Sequence, residues 1–203
     1  MSWVLFDFGN VVCYSQSEHD LELLAAAVGC PVPELTETYW PPRLDYDRAD
    51  LDADTYWQKV GAAQGRTFSP AEVTELVRLD VESWSHINPH TEALIADLAA
   101  AGNRLALLSN APTDVALAIA ALPIAACFEH CFFSCDLRAT KPDPAVYQAV
   151  LTRLQAQPAD VVFLDDRAEN VTGAADLGIR SVHFTGAQQA RAALAALGVR
   201  GAM

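Results

Sequence analysis

Basic residues are few: 13 Lys and Arg stand against 26 Asp and Glu in 203 residues, a net charge of -13. Phosphate backbones are gripped by clustered Lys and Arg, so no nucleic-acid partner is expected. Long apolar runs are also missing, and no stretch can span a membrane. The first apolar run is cut by Asp7, with no basic region before it, unlike a secretory leader. A cytoplasmic protein is expected. The five cysteines, Cys13, Cys30, Cys127, Cys131 and Cys135, lack the C-x-x-C spacing of zinc or redox motifs and read as reduced packing residues. The segment from Cys127 to Cys135 has the aromatics and alternation of a strand, not the look of a metal site. There is no internal repeat and no low-complexity linker.

What the chain does have is a set of apolar runs that stop abruptly at a polar residue. Trp3-Val4-Leu5-Phe6 ends at Asp7, Leu105-Ala106-Leu107-Leu108 at Ser109, and Val161-Val162-Phe163-Leu164 at Asp165-Asp166. A buried parallel strand delivers a side chain to the sheet edge in this way, and open α/β sheets bind ligands at their carboxyl edge. With Lys141 in a loop between the second and third of these runs, a carboxylate, a hydroxyl, an ammonium and a carboxylate pair would converge. That set suits phosphoryl transfer through an aspartyl phosphate, with a divalent cation clamping the oxygens. Singly, each has a plainer explanation. Ser109 could open a helix-start turn, Lys141 could be a solvated loop lysine, and Asp165-Asp166 could cap the next helix. Asp7 is harder to dismiss, because a lone carboxylate ending an apolar strand is costly to desolvate.

The chain's organisation fits one α/β core plus an insertion. Helices are expected at 18–28, from Asp52, and from the Ser69-Pro70-Ala71-Glu72 capping box, so that residues 15–86 read as helical without strands. Residues 39–50, with Pro41, Pro42, aromatics and charges, read as an irregular loop. From Asn88-Pro89 onward helix and strand alternate: helix 89–101, strand 104–108, helix 113–121, a strand through Phe132-Phe133, a helix to about Leu154, strand 161–164, helix 168–177, strand 181–184 and an alanine-rich helix near 187–197. The expected fold class is α/β, a Rossmann-like parallel sheet flanked by helices. The core is expected at 1–14 and 87–203, with a small helical cap at 15–86.

These residues resemble the haloacid dehalogenase-like superfamily, in particular its phosphatase branch with a small helical cap after the first strand. The resemblance covers essentially the whole chain. It matches Asp7 to the nucleophile, Ser109 in Leu107-Leu108-Ser109-Asn110 to the second motif, Lys141 in Lys141-Pro142-Asp143-Pro144 to the third, and Asp165-Asp166 with Asn170 to the fourth. It implies that Mg2+ would be held by Asp7, the Gly9 carbonyl and Asp166, with Asp165 and Asn170 orienting ligands or waters. Lys141, Ser109 and the Asn110 amide would bind the phosphoryl oxygens. Arg43, Tyr46 and Asp47 are the cap residues expected to select the substrate, a small phosphorylated metabolite. Monomer and homodimer both remain open.

One position departs from the pattern. The phosphatase motif resembled here carries a second aspartate two residues after the nucleophile, as general acid and base, and this chain has Gly9 there. Asn10 cannot titrate in its place. Leaving groups that need little protonation are therefore expected, such as sugar 1-phosphates; His19 and His86 read as surface or packing residues. Two alternatives stand beside the phosphatase: a 2-haloacid dehalogenase, which needs no metal, and a low-activity module that binds a phosphometabolite.

Overall fold

The computed structural model describes residues 3–202, so that Met1, Ser2 and Met203, the ends of the expected core ranges, lie outside it. The chain enters through β1 (Trp3–Phe6) and then runs through α1 (Glu18–Val28), α2 (Val32–Tyr39), α3 (Arg43–Asp47), α4 (Ala53–Ala62) and α5 (Pro70–Ser83). Next come α6 (Pro89–Ala100), β2 (Arg104–Ser109), α7 (Thr113–Ala121), β3 (His130–Phe133) and α8 (Ser134–Leu137). It ends with α9 (Pro144–Leu154), β4 (Val161–Asp165), α10 (Ala168–Ala175), β5 (Arg180–His183) and α11 (Ala187–Ala196).

The strands form one parallel sheet in the order β3-β2-β1-β4-β5. The chain leaves central β1 toward β2 and β3 and then crosses to β4 on the other side. Strand order therefore reverses between β1 and β4, which is where open α/β sheets form a ligand crevice. Alternation along β1 explains the layers. Val4 and Phe6 join one apolar cluster with Leu94, Leu98, Ile119 and Leu194 of the helices on that face. Trp3 and Leu5 join another with Val146, Val150 and Ala174 on the opposite face. Both faces are covered, so the strands read as continuous apolar runs.

The five helices between β1 and β2 that precede α6 pack around a third cluster, centred on Leu24, Tyr56, Trp57, Val60 and Leu76. Their starts follow the sequence closely. Ser17 and Ser69 each complete a capping box, and the Asp52 side chain accepts from the Thr55 amide. The chain enters and leaves this segment through adjacent strand-like residues, Cys13 bridging Ile87.

Residues 39–50 are not an irregular loop. Tyr39 closes α2 and Arg43–Asp47 forms the short helix α3. Side-chain pairing holds it: Arg43 Nε donates to Asp47 Oδ1 one turn on, at 2.8 Å, and the Tyr46 ring stacks on Tyr56 at 4.4 Å. The strand expected around Cys131 is β3, while Cys127 ends a short 3-10 turn and Cys135 lies in α8. All five cysteines are free thiols. No helix among the described residues is long and apolar enough to cross a membrane.

Candidate active site

Three strand ends and one loop build the site. Asp7 follows β1 with its backbone N–H on the Leu164 carbonyl at 2.9 Å, which sets it beside the end of β4. Its Oδ1 accepts from the Phe8 amide at 2.6 Å and meets Lys141 Nζ at 2.6 Å. The same ammonium donates to Asp165 Oδ2 at 2.7 Å and to the Leu108 carbonyl at 3.1 Å. All its directions are used inside the protein. Lys141 is 3% exposed, so it is not a solvated loop residue. Burial alone would lower its ammonium, but Asp7 and Asp165 outweigh that and hold it above the ordinary lysine value.

The loop carrying Lys141 is fixed at two points. Asn110 clamps its main chain, accepting from the Lys141 amide at 2.9 Å and donating to its carbonyl at 3.0 Å. Gly173 of α10 lets that helix lie against Pro142: a Cβ there would stand 2.8 Å from the Pro142 carbonyl oxygen, closer than real contacts. The side chain of Asn110 thus holds the lysine, a role that sequence reasoning missed when it assigned only the Asn110 amide. Ser109 ends β2, buried, and lines the same cleft; α7 is preceded by Pro112, so Ser109 does not cap it.

The acidic pair divides its work. Asp165 is 0% exposed and fully engaged, by Lys141, by the Asn170 amide group at 3.0 Å to each oxygen, and by the Arg167 N–H at 2.9 Å. Asn170 is itself anchored, since its carbonyl accepts from Tyr147 Oη at 2.8 Å. Asp166 is half-buried and faces the cleft, with Asn10 Nδ2 donating to it at 2.9 Å. Asn10 holds a left-handed backbone, φ 59°, a conformation that Asn tolerates better than most residues. Its contact to Asp166 was also not read from the sequence.

Carboxylate oxygens of Asp7, Asp165 and Asp166 lie within 4.8 Å of one another. One ammonium cannot balance three such charges. Burial pushes the Asp7 carboxyl up to about 8; Lys141 pulls against this, and Asp165 and Asp166 add to it. Burial raises Asp166 too, opposed by the Asn10 hydrogen bond and reinforced by Asp165. Crowded oxygen donors with a surplus of negative charge, two of them facing open space, fit a hard divalent cation such as magnesium. Asp7 and Asp166 line the cleft at that spot, and Gly9 lines it as well.

The cleft above this floor has a volume of about 510 Å³. Asp7, Gly9, Asn10, Ser109, Asn110, Lys141, Asp166 and Asn170 line it from the sheet side, and Trp40, Arg43, Leu44, Asp47 and Trp84 from the helices between β1 and α6. The profile of the haloacid dehalogenase-like hydrolases matches residues 1–178. This chain belongs to that family. Among its relatives, Flavin mononucleotide hydrolase 1 of Arabidopsis thaliana is 26% identical over 197 residues, 97% of this chain and 77% of that protein. (S)-2-haloacid dehalogenase 1 of Pseudomonas sp. (strain CBS-3) is 27% identical over 165 residues, 77% of this chain and 72% of that protein. A HAD family enzyme of Bacteroides thetaiotaomicron, solved in complex with magnesium and inorganic phosphate, shares the fold at a TM-score of 0.75 and 19% identity, covering 90% of this chain and 93% of that one.

In this HAD-like hydrolase the three residues expected to face a substrate separate. Arg43 and Asp47 line the cleft, but both are buried in a network. Arg43 donates to Asp47, to Asp80 Oδ2 at 2.8 Å and to the Tyr39 hydroxyl, which in turn donates to Asp80 Oδ1 at 2.6 Å. Burial raises the Asp47 carboxyl to about 6 against the pull of Arg43. Tyr46 is not among the lining residues; its hydroxyl donates to Asp114 Oδ2 at 3.2 Å, joining α3 to α7. Two more contacts fasten α3 to the sheet side, Ser134 Oγ to the Asp47 carbonyl at 2.5 Å and Arg138 Nη1 to the Ala49 carbonyl at 2.5 Å. Neither His19 nor His86 lines the cleft; His86 Nε2 instead sits 3.1 Å from Asp20.

Position 9 has a structural counterpart on the far wall. A Cβ built on Gly9 would touch the Trp84 indole, 3.4 Å from Cζ3 and 3.9 Å from Cε3. That is ordinary van der Waals contact, and Gly9 has no positive φ, so glycine is not demanded by the backbone.

Proposed function

We propose that this hydrolase is a magnesium-dependent phosphomonoesterase acting on a small phosphorylated metabolite through an aspartyl phosphate on Asp7. The observation that carries the reading is the carboxylate trio of Asp7, Asp165 and Asp166 around buried Lys141, opening onto one cleft at the point where strand order reverses. Residues 15–86 serve as the cap. Asp7 attacks phosphorus, a new O–P bond forms, the ester P–O bond breaks, and the leaving oxygen departs with the electron pair. Water then attacks phosphorus of the mixed anhydride, releasing inorganic phosphate and restoring Asp7. Lys141 opposes protonation of the nucleophile and offsets phosphoryl charge, while Ser109 Oγ and the Asn110 amide hold phosphoryl oxygens. Bound magnesium supplies Lewis-acid relief of the repulsion between two anions. Asp165 and Asn170 keep Lys141 and the acidic pair in register.

With Gly9 in place of a proton donor, the enzyme favours leaving oxygens that carry charge without protonation, anomeric sugar 1-phosphates among them. A relative named as a flavin mononucleotide hydrolase, whose substrate is itself a phosphomonoester, supports the class. The second reading, a 2-haloacid dehalogenase, has support in a relative of that name; the cleft-facing Asp166 beside Asp7 is surplus to a metal-free displacement. Initial rates on a phosphomonoester panel, pairing each sugar 1-phosphate with its 6-phosphate, decide between them. Turnover with magnesium that stops on chelation supports the phosphatase. Chloride release from 2-chloropropionate unaffected by chelation overturns it.

A further inference from the structure

The side of the cleft built by the helices between β1 and α6 presents Trp40, Leu44 and Trp84 beside buried Arg43 and Asp47. Trp84 lies at van der Waals distance from position 9, two residues from Asp7. Trp40 meets it edge-on, ring centroids 6.4 Å apart, and is 47% exposed; Leu44 beside the mouth is 48% exposed. Large apolar side chains left open at a cleft mouth mark a surface meant to be covered. Polar groups on this side are already committed: Arg43 to Asp47 and Asp80, and Trp84 Nε1 to the Tyr39 hydroxyl at 3.3 Å. That last bond and the packing of Tyr39 on Trp40, centroids 4.9 Å apart, fix the orientation of both indoles. A flat ring on the leaving group would bury apolar area against these side chains.

We infer that the phosphomonoester this cleft takes carries a planar aromatic ring on its leaving group, seated against Trp84 and Trp40. The inference rests on the phosphatase reading for its chemistry and on the wall alone for its specificity. Two primary-alcohol esters of similar leaving-group acidity, 2-phenylethyl phosphate and glycerol 3-phosphate, separate binding from leaving-group chemistry. The phenylethyl ester is expected to show a kcat/KM at least about tenfold higher, carried by KM. In Trp40→Ala the ratio of the two kcat/KM values falls about tenfold, and Trp40→Phe keeps most of it. Leu44→Ser, at an exposed position, lowers the ratio in the same direction. Equal kcat/KM values for the two esters, or a ratio unchanged in Trp40→Ala, overturn the inference. Should neither ester turn over, the result reports the leaving-group limit set by Gly9 and not the wall. The wall is then read by calorimetry with magnesium present, where 2-phenylethylphosphonate must bind at least about tenfold tighter than methylphosphonate, and equal affinities overturn it.

Discussion

Replacing Lys141 with methionine removes the one cation among three buried or half-buried carboxylates. The ammonium stands 2.6 Å from Asp7 and 2.7 Å from Asp165 and also donates to the Leu108 carbonyl. Methionine fills similar volume, so the loss is electrostatic and not a cavity. Removing one partner of a buried ion pair costs about 3–5 kcal/mol, because the remaining charge is left desolvated. In a chain of this size each kcal/mol moves Tm by about 2–4 °C, so a fall of about 6–20 °C is expected in the metal-free protein. The pH dependence has a definite sign. Lys141, raised above its ordinary value, contributes stability that is fully present from pH 5 to 8. Burial raises the Asp7 and Asp166 carboxyls even with Lys141 in place, so parent and variant both lose stability as pH rises, and without the pull of Lys141 the loss in the variant continues past the value of about 8 at which Asp7 of the parent ionises. The deficit must therefore widen from pH 7 to pH 9. Asp7→Asn in the same chain removes one of the stranded carboxylates and recovers part of the loss. Thermal unfolding by circular dichroism, with chelator present, reads all of this. A Tm within about 2 °C of the parent at pH 8, or a deficit equal at pH 7 and pH 9, refutes the reasoning.

Asp7→Asn lowers the initial rate on phosphomonoesters at least about 10³-fold while still folding, as circular dichroism should show. Ser134→Ala removes a buried hydroxyl that accepts from the Ala111 amide at 2.9 Å and donates to the Asp47 carbonyl; urea denaturation should show a loss of about 1–3 kcal/mol. Gly9→Ala is tolerated, with stability unchanged or higher by about 0.4–1 kcal/mol in the same assay. Gly9→Asp restores a titratable group two residues after Asp7 and raises kcat on primary-alcohol phosphates by about 10² or more; an unchanged kcat contradicts the role given to Gly9.

Much of the sheet was legible because its strands are buried on both faces and stop at polar residues. The edges of β2 and β4 fall at Ser109 and Asp165, where the apolar runs end, and α7 spans the residues its periodicity marks. The convergence of Asp7, Ser109, Lys141 and Asp166 on one cleft follows from that edge. Chain composition carried a further signal that went unused: Lys59 and Lys141 are the only lysines, so a lysine in a Pro-flanked loop was already unusual. Helix α3 was illegible for a physical reason. Five residues after a Pro-Pro pair are too few to show a period, and what orders them is Arg43 reaching Asp80 and Tyr39 across the fold. The contact between Gly9 and Trp84 joins residues far apart in the chain, and no local pattern announces it.

Mass analysis of acid-quenched enzyme during turnover tests the central claim most directly. With magnesium and a phosphomonoester, a phosphoryl group must appear on the peptide containing Asp7, and it must be absent from Asp7→Asn and from chelated enzyme. Turnover without that adduct, or an alkyl ester on Asp7 formed from a 2-haloacid in the presence of chelator, would contradict the account.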